Sequence, residues 1–373
     1  MKRLMMLLVA AMLLVSLCGC ASVFEKEYFS AADYQDTDTE SGVSGDGASE
    51  IKNYFGLKVA ISGLVSAHAE SGTLDFRRYN GSINDDIAAA CKEVSTSTAL
   101  GSYCVDYISY DLDRIVSYYE ARIYVSYKRT AQETESMLRC STTTDLYAKL
   151  KTAMSELKSP VVIMVNAASA NERDAAAFVE QICREEPLQC PYRPVATVNV
   201  YSGSGVQKIY EFEIDYGGER AKLLPMRQQV TAQAEELAGA VTTELGEYIA
   251  LQCASALITR CESDPEGGAT AYAALVDGRA DSEGMAMAYA AVCRTAGVSC
   301  RVVEGRLDKE EHFWNIIGIN GAYYHVDLSR AMSLGLGNTF LLSDSLMWGS
   351  YWWDTELYPA CEGTLTYRSL VKG

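Results

Sequence analysis

Asn320-Gly321 lies between two apolar runs, His312-Phe313-Trp314-Asn315-Ile316-Ile317-Gly318-Ile319 and Ala322-Tyr323-Tyr324-His325-Val326-Asp327-Leu328. Asn-Gly supplies the two positive-φ residues of a type I′ turn, so the pattern predicts a β-hairpin and, through the turn, its register. With these two residues as the turn, Ile319 faces Ala322 and Trp314 faces Asp327. His312 then lies on the sheet face of Asp327, one diagonal step away and within reach of long side chains. An imidazole beside a carboxylate is the base and the orienting group of a nucleophilic triad. Two of the three histidines in the chain fall in this hairpin. His325 shares the parity of Asp327 and is expected to make a structural hydrogen bond. His68 has no partner in its sequence neighbourhood and reads as a surface residue.

Upstream, Met285, Tyr289, Val292, Cys293 and Ala296 recur at helical spacing, with Gly297 as the stop, which predicts a helix over 281–296. Asp281 and Ser282 stand in its first turn, where either is most simply an N-cap. Cys300 to Val303 reads as a strand and Asp308 to Glu311 as a charged loop. The aromatic run Trp348, Tyr351, Trp352, Trp353 and Tyr358 is suited to a core or a cleft wall, and it also offers stacking faces for sugars or peptides.

The segments ALVDGRADSEGMAMAYAAVCRTAGVSCRVVEG, HFWNIIGINGAYYHVDLS and FLLSD together resemble the transglutaminase-like superfamily in its bacterial cell-surface form, over residues from about 245 to 361. The resemblance implies a papain-like α+β fold and a Cys-His-Asp triad, with His312 as base and Asp327 as its orienter. Gly278, Ala280, Glu283, Gly284 and Ala286 match their places in the motif. That alignment puts Ser282 where the family has its cysteine and Met285 where it has tyrosine. A serine hydroxyl cannot be ionised by a helix N-terminus and an imidazolium as a thiol can, so the ion-pair mechanism would be lost. Two functions follow from the resemblance. The favoured one is a binding or scaffolding module, without acyl-transfer chemistry, that takes a peptide, protein or cell-wall ligand in the C-terminal cleft. The other is an active serine variant, a hydrolase or acyltransferase on peptide or ester substrates, using Ser282, His312 and Asp327. A third class, the transporter-linked solute-binding lipoprotein, requires two similar doubly wound lobes, which the hairpin motifs contradict.

Residues 51–220 alternate strand and helix signals. Tyr119 to Tyr127 is apolar on one parity, Ala131 to Leu157 is polar and helix-like, and Val161 to Val165 is a short apolar run. Asn171 can cap a helix reaching about Cys183, and two strands follow around Ser202-Gly203-Ser204-Gly205. The order predicts a small α/β sandwich, followed over 221–373 by a helical connector and the C-terminal domain. The connector is an amphipathic helical region over 227–260, softened at Gly239 and Gly246, and Glu262 to Gly268 reads as a loop.

Residues 1–19 combine Lys2 and Arg3 with an apolar stretch from Leu4 to Leu17, the pattern of a secretory signal. The end of that stretch, Leu17-Cys18-Gly19-Cys20, resembles the bacterial lipobox, with Cys20 as the lipidated residue. The expectation is a lipid-anchored protein on the extracytoplasmic face of the bacterial membrane, joined to its anchor by an acidic, disordered tether over 20–50. The balance of 49 acidic against 32 basic side chains argues against nucleic acid as a partner. With Cys18 leaving in the signal and Cys20 lipidated, ten of the twelve cysteines remain, an even number that in an exported chain suggests disulfides. Cys183 with Cys190, and Cys293 with Cys300, each follow a predicted helix and return after a Pro- or Gly-containing turn, so these are the expected pairs. No CxxC or CxxxH pair occurs, so no metal site is expected, and no cofactor is implied.

Overall fold

The computed structural model describes residues 49–372; the signal, the lipobox with Cys20 and nearly all of the tether lie outside the described residues. Ser49–Glu50 is a two-residue strand, and the chain from Ile51 onward packs as one unit. Among the described residues no helix is long and apolar enough to cross a membrane.

Three sheets carry the architecture of that unit. In the first, Tyr118–Tyr127 pairs antiparallel with both Ser71–Asp75 and Val105–Ile115. Helices Tyr54–Ser66 and Ile83–Ser97 bury Leu57, Ile61, Ile87 and Val94 into the core beside it. The second sheet has the order Leu138–Thr142, Val161–Ala167, Lys208–Asp215, Val195–Ser202, with only the first pair parallel. Its alternation serves two cores at once, because the side-chain period of a strand is two. Val161, Ile163, Val165, Tyr210 and Phe212 enter the large core, whereas Met164 and Ile209 enter the core of the first sheet. The large core runs on through Leu257, Tyr289, Ile317 and Tyr324. Residue 220 therefore marks a change in element pattern and not a break in packing: one core joins both sides of it. Where the sequence suggested one small sandwich over 51–220, the chain builds two sheets with a core on each face of the second.

Two local readings are corrected. The stretch expected to be helical over 131–157 contains the strand Leu138–Thr142 between helices Ala131–Glu135 and Thr143–Ser155. That strand pairs with the buried Val161–Ala167, so tertiary pairing overrides a polar sequence without strand periodicity. Glu262–Gly268, expected as a loop, is a strand lying parallel to Arg279–Ala280. Asn171 does cap its helix, Glu172–Glu185, through a capping box with Asp174.

The third sheet has the order Phe340–Leu342, Ala322–Val326, Glu310–Ile319, Ser299–Leu307, Tyr351–Trp353, antiparallel throughout. Asn320 and Gly321 form the turn at φ 50° and 82°, and Ile319 pairs with Ala322 as the turn chemistry requires. The expected loop at 308–311 is tighter than predicted. Asp308 and Lys309 alone make the turn at φ 49° and 79°, and Glu310 already belongs to the next strand. Against this sheet packs the helix Ser282–Thr295, in which every residue from Glu283 to Cys293 is buried. A helix enclosed on all sides needs small side chains so that its neighbours can approach, which explains the run Gly-Met-Ala-Met-Ala-Tyr-Ala-Ala.

Gly284 is the tightest point of this packing. A Cβ there would stand 2.4 Å from the Gly268 carbonyl oxygen and 2.9 Å from both the Thr270 carbonyl oxygen and the Ala280 Cβ. Gly284→Ala is expected to destabilise the fold by about 1–3 kcal/mol, toward the upper end because two of the clashing atoms are backbone. A urea denaturation midpoint within error of the wild type would contradict this packing.

Candidate functional site

Ser282 is the first residue of the buried helix, and Asp281 before it is the cap: its carboxylate accepts the Gly284 N–H at 2.9 Å. Capping therefore falls to Asp281, and the Ser282 hydroxyl is turned to the sheet, where Oγ accepts the Phe313 N–H at 3.3 Å. Burial pushes the Asp281 carboxyl up, against the two backbone N–H groups that favour its charge.

The neighbour of Phe313 is His312, and its Nε2 lies 2.7 Å from Asp327 Oδ2. Asp327 sits just beyond the hairpin strand, fully buried, with its own N–H bonded to the Thr339 carbonyl. Three further donors converge on it. The Tyr351 hydroxyl donates to Oδ2 at 2.7 Å, and the Ser329 hydroxyl and the Arg330 N–H donate to Oδ1 at 2.7 and 3.3 Å. Burial alone would raise this carboxyl; the bonds from His312, Ser329 and Tyr351 outweigh it and hold the group below the ordinary carboxylate range. Burial and the Asp327 charge raise the Tyr351 phenol, which keeps it a donor. With Nε2 committed to Asp327, Nδ1 is the ring nitrogen left to take a proton.

The sequence thus brings together His312 and Asp327, and it places Ser282 on the N–H of Phe313, the residue after His312. It misses Ser329 and Tyr351. Ser329 follows Asp327 at the spacing of a short polar turn, a signal that was available. Tyr351 is visible only as part of an aromatic run, because its role depends on Tyr351–Trp353 pairing with Ser299–Leu307 at the sheet edge.

A second imidazole–carboxylate pair lies within the sheet's aromatic core. His325 Nε2 is 2.8 Å from Asp344 Oδ1, and the Trp314 indole N–H donates to His325 Nδ1 at 3.0 Å. His325, Asp344 and Cys361 form a cluster with metal-ligand spacing. An indole only donates, so His325 Nδ1 carries its lone pair and Nε2 its proton. That proton occupies the position from which the ring would bind a metal, so the cluster is a structural hydrogen-bond chain. Burial holds the His325 pKa down against Asp344, and burial pushes the Cys361 thiol up to about 12. His68 departs from expectation: it is half-buried and stacks on Tyr127, with ring centroids 3.8 Å apart.

Glu283, beside Ser282, anchors the helix to the preceding part of the chain. It is buried, and it accepts from Arg184 Nε at 2.8 Å and pairs with Arg193 at 3.3 Å. Arg184 also reaches Glu304 at 2.6 Å and lies over the Phe313 ring, 5.0 Å from its centroid. The Cys183–Cys190 disulfide closes a short loop that contains Arg184 and ends three residues before Arg193. The second expected disulfide is corrected: Cys293 and Cys300 are both free. Cys293 is fully enclosed and borders Cys253 and Tyr289 as well as Cys300, so it packs as a small hydrophobe among several neighbours rather than facing a single thiol partner.

Residues 229–328, which contain Ser282, His312 and Asp327, match the family model of the transglutaminase-like superfamily, and this segment is a transglutaminase-like domain of α+β fold. Among solved structures, the chain is similar to a crystal structure of a TGase at 10% identity, over 55% of this chain and 60% of that one, with a TM-score of 0.26. It is also similar to a protein from Cytophaga hutchinsonii provisionally named a cysteine protease, at 11% identity, 36% and 62% coverage and a TM-score of 0.25. A third similarity is to a protein from Parabacteroides distasonis provisionally named a protease, at 10% identity, 56% and 49% coverage and a TM-score of 0.23. The chain spans about half to three fifths of the length of these proteins. No curated protein matches the chain.

Proposed function

We propose that this is a lipid-anchored protein of the extracytoplasmic membrane face whose transglutaminase-like domain binds a peptide, protein or cell-wall ligand without cysteine-based acyl transfer. One observation carries the reading: the side chain that the buried helix presents to the imidazole-bearing strand is the Ser282 hydroxyl, held by the Phe313 N–H. A hydroxyl stays protonated where a thiol would ionise, so the preformed nucleophile–imidazolium pair has no counterpart. The free thiols are elsewhere: Cys293 is at the far end of the helix, and Cys261, beside Ala280, is buried with its pKa pushed up to about 11 by that burial.

The reading predicts that the full chain, treated with a fluorophosphonate that acylates activated serines, shows no modification of Ser282 by peptide mass spectrometry. Modification of Ser282 that disappears in His312→Ala would overturn it. Such a result would establish the second reading, which the Asp327-oriented imidazole of His312 favours. In that reading the Ser282 proton passes to Nδ1 as Oγ attacks a carbonyl carbon, and the imidazolium then protonates the leaving group.

A further inference from the structure

Two of the tryptophans in the aromatic run, Trp348 and Trp352, are neither core nor covered: they are 69% and 63% exposed, whereas Trp353 is buried. Trp352 is placed by the sheet. Arg306 pairs across one strand edge with Glu311 and across the other with Trp352, so Glu311, Arg306 and Trp352 form a row on one face, spanning three strands. At about 4.8 Å per strand the row is roughly 10 Å long. One end, Glu311, shares its face with Phe313, two residues on, whose N–H holds Ser282. The other end is an exposed indole.

Clefts of about 670 and 470 Å³ lie along this row and share Arg306, Lys309 and Trp352 as a common wall. Asp308 lines the first cleft, and Glu304, Glu311 and Asp354 line the second, Glu304 being held by Arg184. Among the described residues Arg306, Lys309, Asp308 and Glu311 form no ion pair with one another or with other side chains. The walls therefore offer open donors and a larger number of carboxylate acceptors, beside a flat apolar surface. A strongly anionic ligand would meet more repulsion than attraction here. A sugar ring fits both features: its hydroxyls donate to carboxylates and accept from guanidinium and ammonium groups, and its C–H face stacks on an indole.

We infer that the Glu311–Arg306–Trp352 row is a saccharide-binding subsite leading to Ser282, so that the ligand of the site is a carbohydrate or is carbohydrate-linked. This deepens the ligand-site reading above and rests on it for the ligand's second half, which would reach Ser282.

Calorimetric titration of the full chain tests it, with an N-acetylglucosamine tetramer and a glucose tetramer as saccharide probes and pentaglutamate as the peptide probe. At least one saccharide is expected to bind saturably, with little dependence on salt. Trp352→Ala is expected to weaken that binding by about tenfold or more, as loss of a stacking surface should. Trp348→Ala, equally exposed but outside both clefts, should leave it within about twofold, which separates a defined subsite from general surface adhesion. The proposal is overturned if neither saccharide binds at millimolar concentration, if Trp352→Ala binds as the wild type does, or if pentaglutamate alone binds in a salt-sensitive manner. Serine labelling in the preceding experiment would sink the lost-chemistry reading and leave this titration unmoved, so the two can fail separately.

Discussion

Ser282→Cys is expected to create a thiol that alkylates at low pH where the wild type has nothing at residue 282 to alkylate. The new sulfur would sit in the first turn of a buried helix, against the N–H of Phe313, the residue that follows an imidazole already oriented by a buried carboxylate. Both features favour a thiolate: the partial positive charge of the helix N-terminus, and an imidazolium stabilised by Asp327. An ordinary thiol with a pKa near 8.5 is only about 0.3% ionised at pH 6, whereas one lowered to about 4 is almost fully ionised, a difference of roughly 300-fold in reactive species. Iodoacetamide labelling at pH 6, followed by peptide mass spectrometry, reads this directly. In Ser282→Cys with His312→Ala most of the enhancement should vanish. An introduced cysteine that labels no faster than a free thiol at pH 6 would show that the His312–Asp327 pair is not poised toward residue 282. Among the described residues the eight native free cysteines do not interfere, because seven are buried and the eighth, Cys140, is raised above its ordinary value by burial.

The second large effect is on stability. Asp327→Ala removes the common acceptor of His312, Tyr351, Ser329 and the Arg330 N–H from a fully buried position. Four donors left without their common acceptor in the interior are expected to cost about 3–5 kcal/mol together, measured by urea denaturation at pH 7. Ser329→Ala removes one donor and leaves the others bonded, so about 1 kcal/mol is expected. Acid should reveal the same group. The folded-state pKa of Asp327 lies below its unfolded value, so its contribution is complete above the unfolded carboxyl pKa of about 3.9 and is lost as pH falls through the folded value. The wild type should therefore lose stability below about pH 4 more steeply than Asp327→Ala does. Parallel acid limbs in the two proteins would show that Asp327 is not the charge that the fold depends on.

Much of the hairpin was legible because its information is local. Asn320-Gly321 dictates a turn of fixed length, the alternation on either side dictates which residues face inward, and those two facts alone bring His312 toward Asp327. The helix before it was legible by its periodicity and its stop at Gly297, which does adopt a positive φ of 86°. The cysteine pairing was half legible: Cys183 and Cys190 are joined across a short turn, whereas the equally spaced Cys293 and Cys300 are not. Spacing permits a bond, but the side-chain directions that make one are set by the surrounding core.

What the sequence by itself determined is the set of short-range relations: turn, register, cap and the helix that carries Ser282. Only the tertiary structure decided that Tyr351 and Ser329 complete the shell of Asp327. It also decided that Arg184 and Arg193 hold Glu283 from far back in the chain, that one core crosses residue 220, and that Trp352 is exposed while Trp353 is buried. The physical reason is range. Backbone conformation follows from neighbours a few residues apart, whereas the partners of a buried charge are chosen by whichever elements the whole core brings against it.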